Sequence, residues 1–116
     1  MDERIEKAFD VANYMATLSN QRRIILEELD QRLIYYINGA TFNIDSNLIT
    51  FTKTVLDLGY ESDVAFLDSN KLPVIINDVK SFFDEITIIY FESINDYAVR
   101  YADIAKKRKI GDIVEL

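Results

Sequence analysis

Residues 78–110 read DVKSFFDEITIIYFESINDYAVRYADIAKKRKI, and this stretch decides the fold. Its apolar and tyrosine residues recur at intervals of three, four or seven, which is the spacing of one face of an α-helix. We predict a long helix over 78–110, with Asn77 or Asp78 as its N-cap. A helical stripe of this length needs a partner to cover it. The members of the stripe are Phe83, Tyr90, Ile94, Tyr97, Tyr101 and Ile104.

A second helical pattern, over residues 2–38, offers that partner. Two apolar groups within it are separated by a polar stretch at residues 19–23. Ser19 or Asn20 could cap a new helix there, or the stretch could be a polar layer within one helix. The absence of Gly and Pro favours one continuous helix. The two apolar groups are Ile5, Phe9, Ala12, Met15 and Leu18, then Leu26, Leu29, Leu33, Tyr36 and Ile37.

The segment between the two long patterns predicts a small β/α module. Alternating β-forming residues predict a strand over 40–44, and an amphipathic pattern after Asp45 or Ser46 predicts a helix over 46–58. Two β-branched or aromatic runs around a polar turn predict a hairpin over 63–76, with Pro73 at a strand start or on an edge. Because glycine adopts the left-handed conformation that ends helices, we expect helix stops at the three glycines, Gly39, Gly59 and Gly111.

These elements predict a single α+β domain over residues 1–116 that is mostly helical. Two long antiparallel helices form a coiled-coil-like hairpin that brackets the β/α module. If Tyr36 lies level with Phe83, Ile5 and Phe9 fall near the C-terminal residues Ile110, Ile113 and Val114. The same pairing predicts a charged layer that fixes the register of the helices. Its members are Arg22, Arg23, Glu92 and Asp96.

Composition excludes several kinds of chemistry. The chain has no Cys and no His, so disulfides, thiolate catalysis, Cys/His zinc sites and histidine bases are excluded. A net charge of −7 argues against a nucleic-acid or anionic-membrane binder, and no apolar run reaches the ~18–20 residues of a membrane span. The start MDERIEK carries no secretion signal, so we expect a cytoplasmic protein. We predict no enzymatic activity, no cofactor and no metal.

One carboxylate pattern resembles a known enzyme family. Glu3 and Glu6, followed by Glu27 and Asp30, fit the ExxE…ExxD layout of the all-α nucleotide pyrophosphohydrolases, in which carboxylates hold Mg²⁺. The chain departs from the family at its EELGD box, where the Gly is missing and Gln31 stands at the closing Asp. In a continuous helix Glu6 and Glu27 are ~30 Å apart and could not share an ion. Solvated helix faces explain these residues more simply.

Two further groups of residues bear on binding. The basic run at 106–109 could contact phosphate, but its simpler role is to interact with the dipole at the C-terminus of the last helix. The seven tyrosines fit both core edges and interaction surfaces. We expect the lower halves of the long helices to supply an interface. Its candidate residues are Phe9, Met15, Tyr97 and Tyr101.

Residues 17–51, together with LDSNKLPVIINDVKSFFDEI and the closing YADIAKKRK, resemble small uncharacterised proteins of tailed cyanophages. The resemblance implies a phage context, in the virion or the host cytoplasm, and carries no catalytic residue. We therefore expect a structural or assembly protein that acts through its long helices, on itself as a homo-oligomer or on a protein partner. The alternatives are an acidic adaptor or inhibitor of a basic host protein and, third, the Mg²⁺-dependent pyrophosphohydrolase.

Overall fold

The computed structural model describes residues 2–115, with side chains for residues 2–109. It is α+β and mostly helical, as predicted. In chain order the elements are α1 Glu3–Arg32, β1 Ile34–Ile37, β2 Ala40–Asn43, α2 Ser46–Asp57, β3 Ser62–Leu67, β4 Pro73–Asp78 and α3 Val79–Glu115. Within this part of the chain the strands form two antiparallel hairpins, β1–β2 and β3–β4.

The first helix differs from the predicted 2–38. It passes through residues 19–23 without a break but ends at Arg32, and residues 34–37 form the strand β1. Asn38 and Gly39 make the turn to β2, with φ of 51° and 77°, and Ile37 pairs with Ala40. Two successive positive φ angles define the hairpin turn that Asn-Gly favours. Gly39 therefore closes a hairpin and does not end a helix.

The second hairpin confirms the one predicted over 63–76, with Leu67 paired to Pro73 at the start of β4. Its loop is organised by the buried carboxylate of Asp68. This carboxylate accepts hydrogen bonds from the backbone N–H groups of Leu72 and Asn70, both at 2.9 Å, and of Thr41 at 3.2 Å. These bonds, led by that from Leu72, lower the pKa of Asp68, because they stabilise its ionised form.

Two of the expected helix caps are present. Asp45 accepts a hydrogen bond from the N–H of Leu48 at 2.7 Å and starts α2, which ends before Gly59. Asp78 accepts one from the N–H of Ser81 at 3.0 Å and starts α3. The predicted stop at Gly111 is wrong, since α3 continues to Glu115. One glycine weakens a helix by only ~1 kcal/mol, which flanking helix formers can offset.

By contact pattern the chain divides into two compact units: residues 30–94, and residues 1–29 with 95–116. The first, here called the β/α unit, has a core of ten buried residues centred on Phe82. The Phe82 ring lies 5.3 Å from Phe42, 5.5 Å from Phe66 and 5.9 Å from Tyr35, between ring centroids. The core comprises Ala40, Phe42, Ile44, Val55, Phe66, Val74, Ile76, Val79, Phe82 and Ile86.

A polar bond lies at the edge of this core. The hydroxyl of Tyr35 donates a hydrogen bond to the carboxylate of Glu85. Desolvation, the hydrogen bond and the negative charge of Glu85 together raise the pKa of Tyr35 to about 12. The bond ties β1 to the first half of α3.

Candidate interaction surface

The other unit, here called the two-helix unit, consists of residues 1–29 and 95–116. Its helical segments belong to α1 and α3 and are antiparallel. The Tyr14 hydroxyl donates to the carbonyl oxygen of Lys107 at 3.2 Å, and Glu28, further along α1, pairs with Arg100, which precedes Lys107 in α3.

The contact between these segments follows one face of α1. Alternating steps of four and three residues bring its members to one side of the helix, and we call them the inner seam. Leu18 and Ile25 are buried together with Ile104 of α3, and Met15 and Tyr97 pack at the edge. The inner seam comprises Val11, Met15, Leu18, Arg22, Ile25 and Leu29.

The register of the two helices differs from the predicted one. The Arg22 guanidinium lies over the ring of Tyr101, 5.4 Å from its centroid, and is not paired with Asp96. Arg23 bonds Glu27 of its own helix at 3.1 Å. Glu92 is exposed and belongs to the β/α unit. The predicted charged layer of Arg22, Arg23, Glu92 and Asp96 is therefore wrong as a set.

The cause of this error is the residue that anchored the pairing. The prediction set Tyr36 level with Phe83 on a helix, but Tyr36 lies in β1. The predicted proximity of Ile5 and Phe9 to Ile110, Ile113 and Val114 concerns side chains outside the described residues.

The ion pair that does join the helices is Glu28–Arg100. Arg100 also lies 3.7 Å from Asp96, one turn earlier on α3. Its hydrogen bond with Glu28, followed by the negative charges of Glu28 and Asp96, raises the pKa of the guanidinium. Both partners remain partly exposed to solvent, so the pair contributes more to register than to stability.

Basic side chains line a shallow cleft on one flank of the contact. Arg22, Arg108 and Lys109 surround it, above the apolar floor of Leu18 and Ile104. The basic run at 106–109 was predicted to face the C-terminal dipole, but α3 continues beyond it to Glu115. The run therefore lies within the helix, where Lys107 bonds Asp103 at 3.1 Å.

The opposite face of α1 carries a second apolar row, which we call the outer seam: Ile5, Phe9, Ala12 and Ala16. Steps of four, three and four residues place it roughly 130° around the helix from the inner seam. Ile5 is 47% exposed and Phe9 59% exposed, and both alanines are exposed as well. No described residue of the chain covers this row.

No family model, curated protein or solved structure matches this chain. Its interaction surface must therefore be argued from its own geometry. Among the described residues, no helix has the length and apolar character needed to cross a bilayer.

The four predicted interface residues lie in different places. Phe9 lies on the outer seam, whereas Met15 and Tyr97 pack against the internal cluster. Tyr101 is 39% exposed and stacks under Arg22 at the margin of the basic cleft. Sequence reasoning did not separate the two faces of α1, although the heptad steps from Ile5 and from Val11 distinguish them.

The carboxylate pattern does not form a cluster. In the described residues, no three Asp or Glu side chains lie close enough to hold a metal ion together. Glu6 and Glu27 lie on one unbroken helix, separated by about 30 Å along its axis. The geometry therefore gives no support to a shared Mg²⁺ site at these residues.

Proposed function

We propose that the protein is a non-enzymatic structural or assembly component that joins protein chains through the helices of its two-helix unit. The observation that carries the proposal is the imbalance between buried and exposed apolar residues in this unit. Its internal cluster contains three buried residues, Leu18, Ile25 and Ile104. Its exposed large apolar residues are Ile5, Phe9, Tyr14, Ile24, Leu26, Val99 and Tyr101.

Helices in water depend on tertiary packing of an apolar face for most of their stability. A pair of helices with so small a core gains stability when further helices cover its remaining apolar surface. Apolar surface on that scale, with polar residues around it, is typical of protein–protein contacts. The resemblance of residues 17–51 to cyanophage proteins supports a setting in a phage particle or an infected cell.

Sedimentation velocity tests this proposal. We expect the chain to form species heavier than its 13.5 kDa monomer, either purified or in an extract of the cell that produces it. The double variant I5D/F9D should dissolve them, because a charged outer seam cannot be desolvated. The matched control is L58D, which alters a leucine of the β/α unit that is 70% exposed.

The result must separate the two surfaces. Loss of the heavier species in I5D/F9D but not in L58D supports the proposal, provided that both variants keep the helical circular dichroism of the parent. A monomer under both conditions, or equal sensitivity to the two variants, contradicts it.

A further inference from the structure

The outer seam has an internal order that bears on the identity of its partner. Its two large residues, Ile5 and Phe9, come first, and its two small residues, Ala12 and Ala16, follow at heptad spacing. Close helix packing needs large side chains opposite small ones, so that the facing layers interdigitate. A helix that runs in the reverse direction with the same residues meets this condition.

We propose that the outer seam binds the outer seam of a second copy of this chain, antiparallel, about a two-fold axis. This inference rests on the proposed function and names its partner. With the axis level with the midpoint of the seam, Ile5 faces Ala16 of the second copy and Phe9 faces Ala12 of the second copy. Each contact then occurs twice, as two-fold symmetry requires.

The parallel arrangement lacks this fit. It would set Phe9 against Phe9 and Ala12 against Ala12 in successive layers, which alternates crowding with voids. Overpacked layers and cavities are both destabilising. The order of large and small residues therefore favours the antiparallel pair.

The charges beside the seam fit the same arrangement. On one side of it lie Asp2 and Glu6 toward the N-terminus and Asn13 and Asn20 toward the C-terminus, all exposed. In the antiparallel pair the carboxylates of Asp2 and Glu6 lie close to the amides of Asn20 and Asn13 of the second copy. Carboxylates thus meet hydrogen-bond donors. This matters in a chain of net charge −7, because two copies repel one another elsewhere.

The length of the contact sets the expected strength. The overlapping segments are ~25 Å long, so the interface falls below the standard ~800 Å² per partner. We therefore expect a reversible dimer with a dissociation constant of roughly 1–100 µM.

Cysteine cross-linking tests the orientation, since the chain contains no cysteine of its own. In the antiparallel pair, Ile5→Cys on one copy faces Ala16→Cys on the other. Two Ile5→Cys residues would instead lie ~16 Å apart along the axis, beyond the ~7 Å Cα separation that a disulfide spans. An equimolar mixture of I5C and A16C should form a covalent dimer under mild oxidation, while each variant alone should not.

A residue swap tests the packing independently of cysteine chemistry. F9A removes the large residue and A12F crowds the layer, and each should weaken dimerisation at least about tenfold. The double variant F9A/A12F restores one large and one small residue to each layer, and its affinity should return to within about threefold of the parent, roughly 0.6 kcal/mol. A general apolar contact would instead bind more tightly in A12F, which has the most apolar surface.

Three outcomes would overturn the proposal: disulfides within I5C alone, tighter dimerisation of A12F, or a purified chain that remains monomeric up to ~1 mM, well above the expected range. The proposed function fails on a different result, namely the absence of heavier species in the cell extract as well. A purified monomer that assembles in the extract would reject the second copy as partner and retain the function.

Discussion

Replacement of Phe82 by alanine probes the core of the β/α unit. The side chain is 2% exposed and its ring touches three other aromatic rings. Truncation of a buried phenylalanine costs ~3–5 kcal/mol through lost transfer free energy and the cavity that remains. The three ring contacts place Phe82→Ala toward the upper end, so we expect the free energy of unfolding to fall by ~4 kcal/mol. That is a large share of the ~5–15 kcal/mol typical of a domain.

Urea denaturation is the assay, followed by far-ultraviolet circular dichroism and by tyrosine fluorescence, because the chain has no tryptophan. Phe91→Ala is the matched control. Phe91 lies on the same helix, 54% exposed, so its loss should cost less than ~1 kcal/mol. Phe82→Leu, at roughly 1–1.5 kcal/mol, keeps the comparison measurable if Phe82→Ala does not fold. A cost for Phe82→Ala no greater than that for Phe91→Ala would refute the assignment of Phe82 to the core.

Three further predictions concern single side chains. Ile104→Ala removes one of the three buried residues of the two-helix unit, so amides of α1 within that unit should lose hydrogen-exchange protection by ~2–3 kcal/mol, while Val99→Ala, at a residue 71% exposed, should not change it. The lowered pKa of Asp68 stabilises the fold above the carboxyl's unfolded pKa. Acid denaturation should therefore show stability lost as pH falls through the folded pKa, and Asp68→Asn should flatten this loss. The pKa of Tyr35 is raised from 10.0 to about 12, so its contribution is present below pH 10 and lost between these two values. Ultraviolet titration should find one late tyrosine, which Glu85→Gln brings closer to its ordinary pKa.

The sequence predicted the long helices, the second hairpin and the caps, because each has a local cause. Asp45 and Asp78 cap helices through bonds made within three residues. The hairpin at β3–β4 follows from β-branched runs around a polar turn. The continuity of α1 through residues 19–23 likewise follows from the absence of Gly and Pro there.

The missed hairpin also had a local signal. Asn38-Gly39 between two β-forming runs favours a two-residue turn with positive φ, and β1 and β2 have this turn. The prediction continued the helix into residues 34–37 because an apolar run of four residues fits the periods of helix and strand equally well. The turn residues, and not the apolar run, distinguish the two structures.

The helix register could not be predicted, because it depends on non-local packing. Arg22 could meet Asp96 or Tyr101 with a shift of little more than one turn, and both contacts are chemically reasonable. The observed contact with Tyr101 follows from the burial of Leu18 and Ile25 against Ile104. Apolar burial outweighs an exposed ion pair, which is worth at most about 1 kcal/mol.

The end of the outer seam explains why assembly through it would stop at two chains. After Ala16 the same line of α1 continues to Arg23 and Glu27, which bond each other at 3.1 Å and are more than 60% exposed. Charged residues at this point prevent the apolar row from extending along the helix. Each copy then has one short seam, and an antiparallel pair covers both seams completely. No equivalent apolar row remains on this face of α1 for a third chain, so a closed dimer forms in place of a filament.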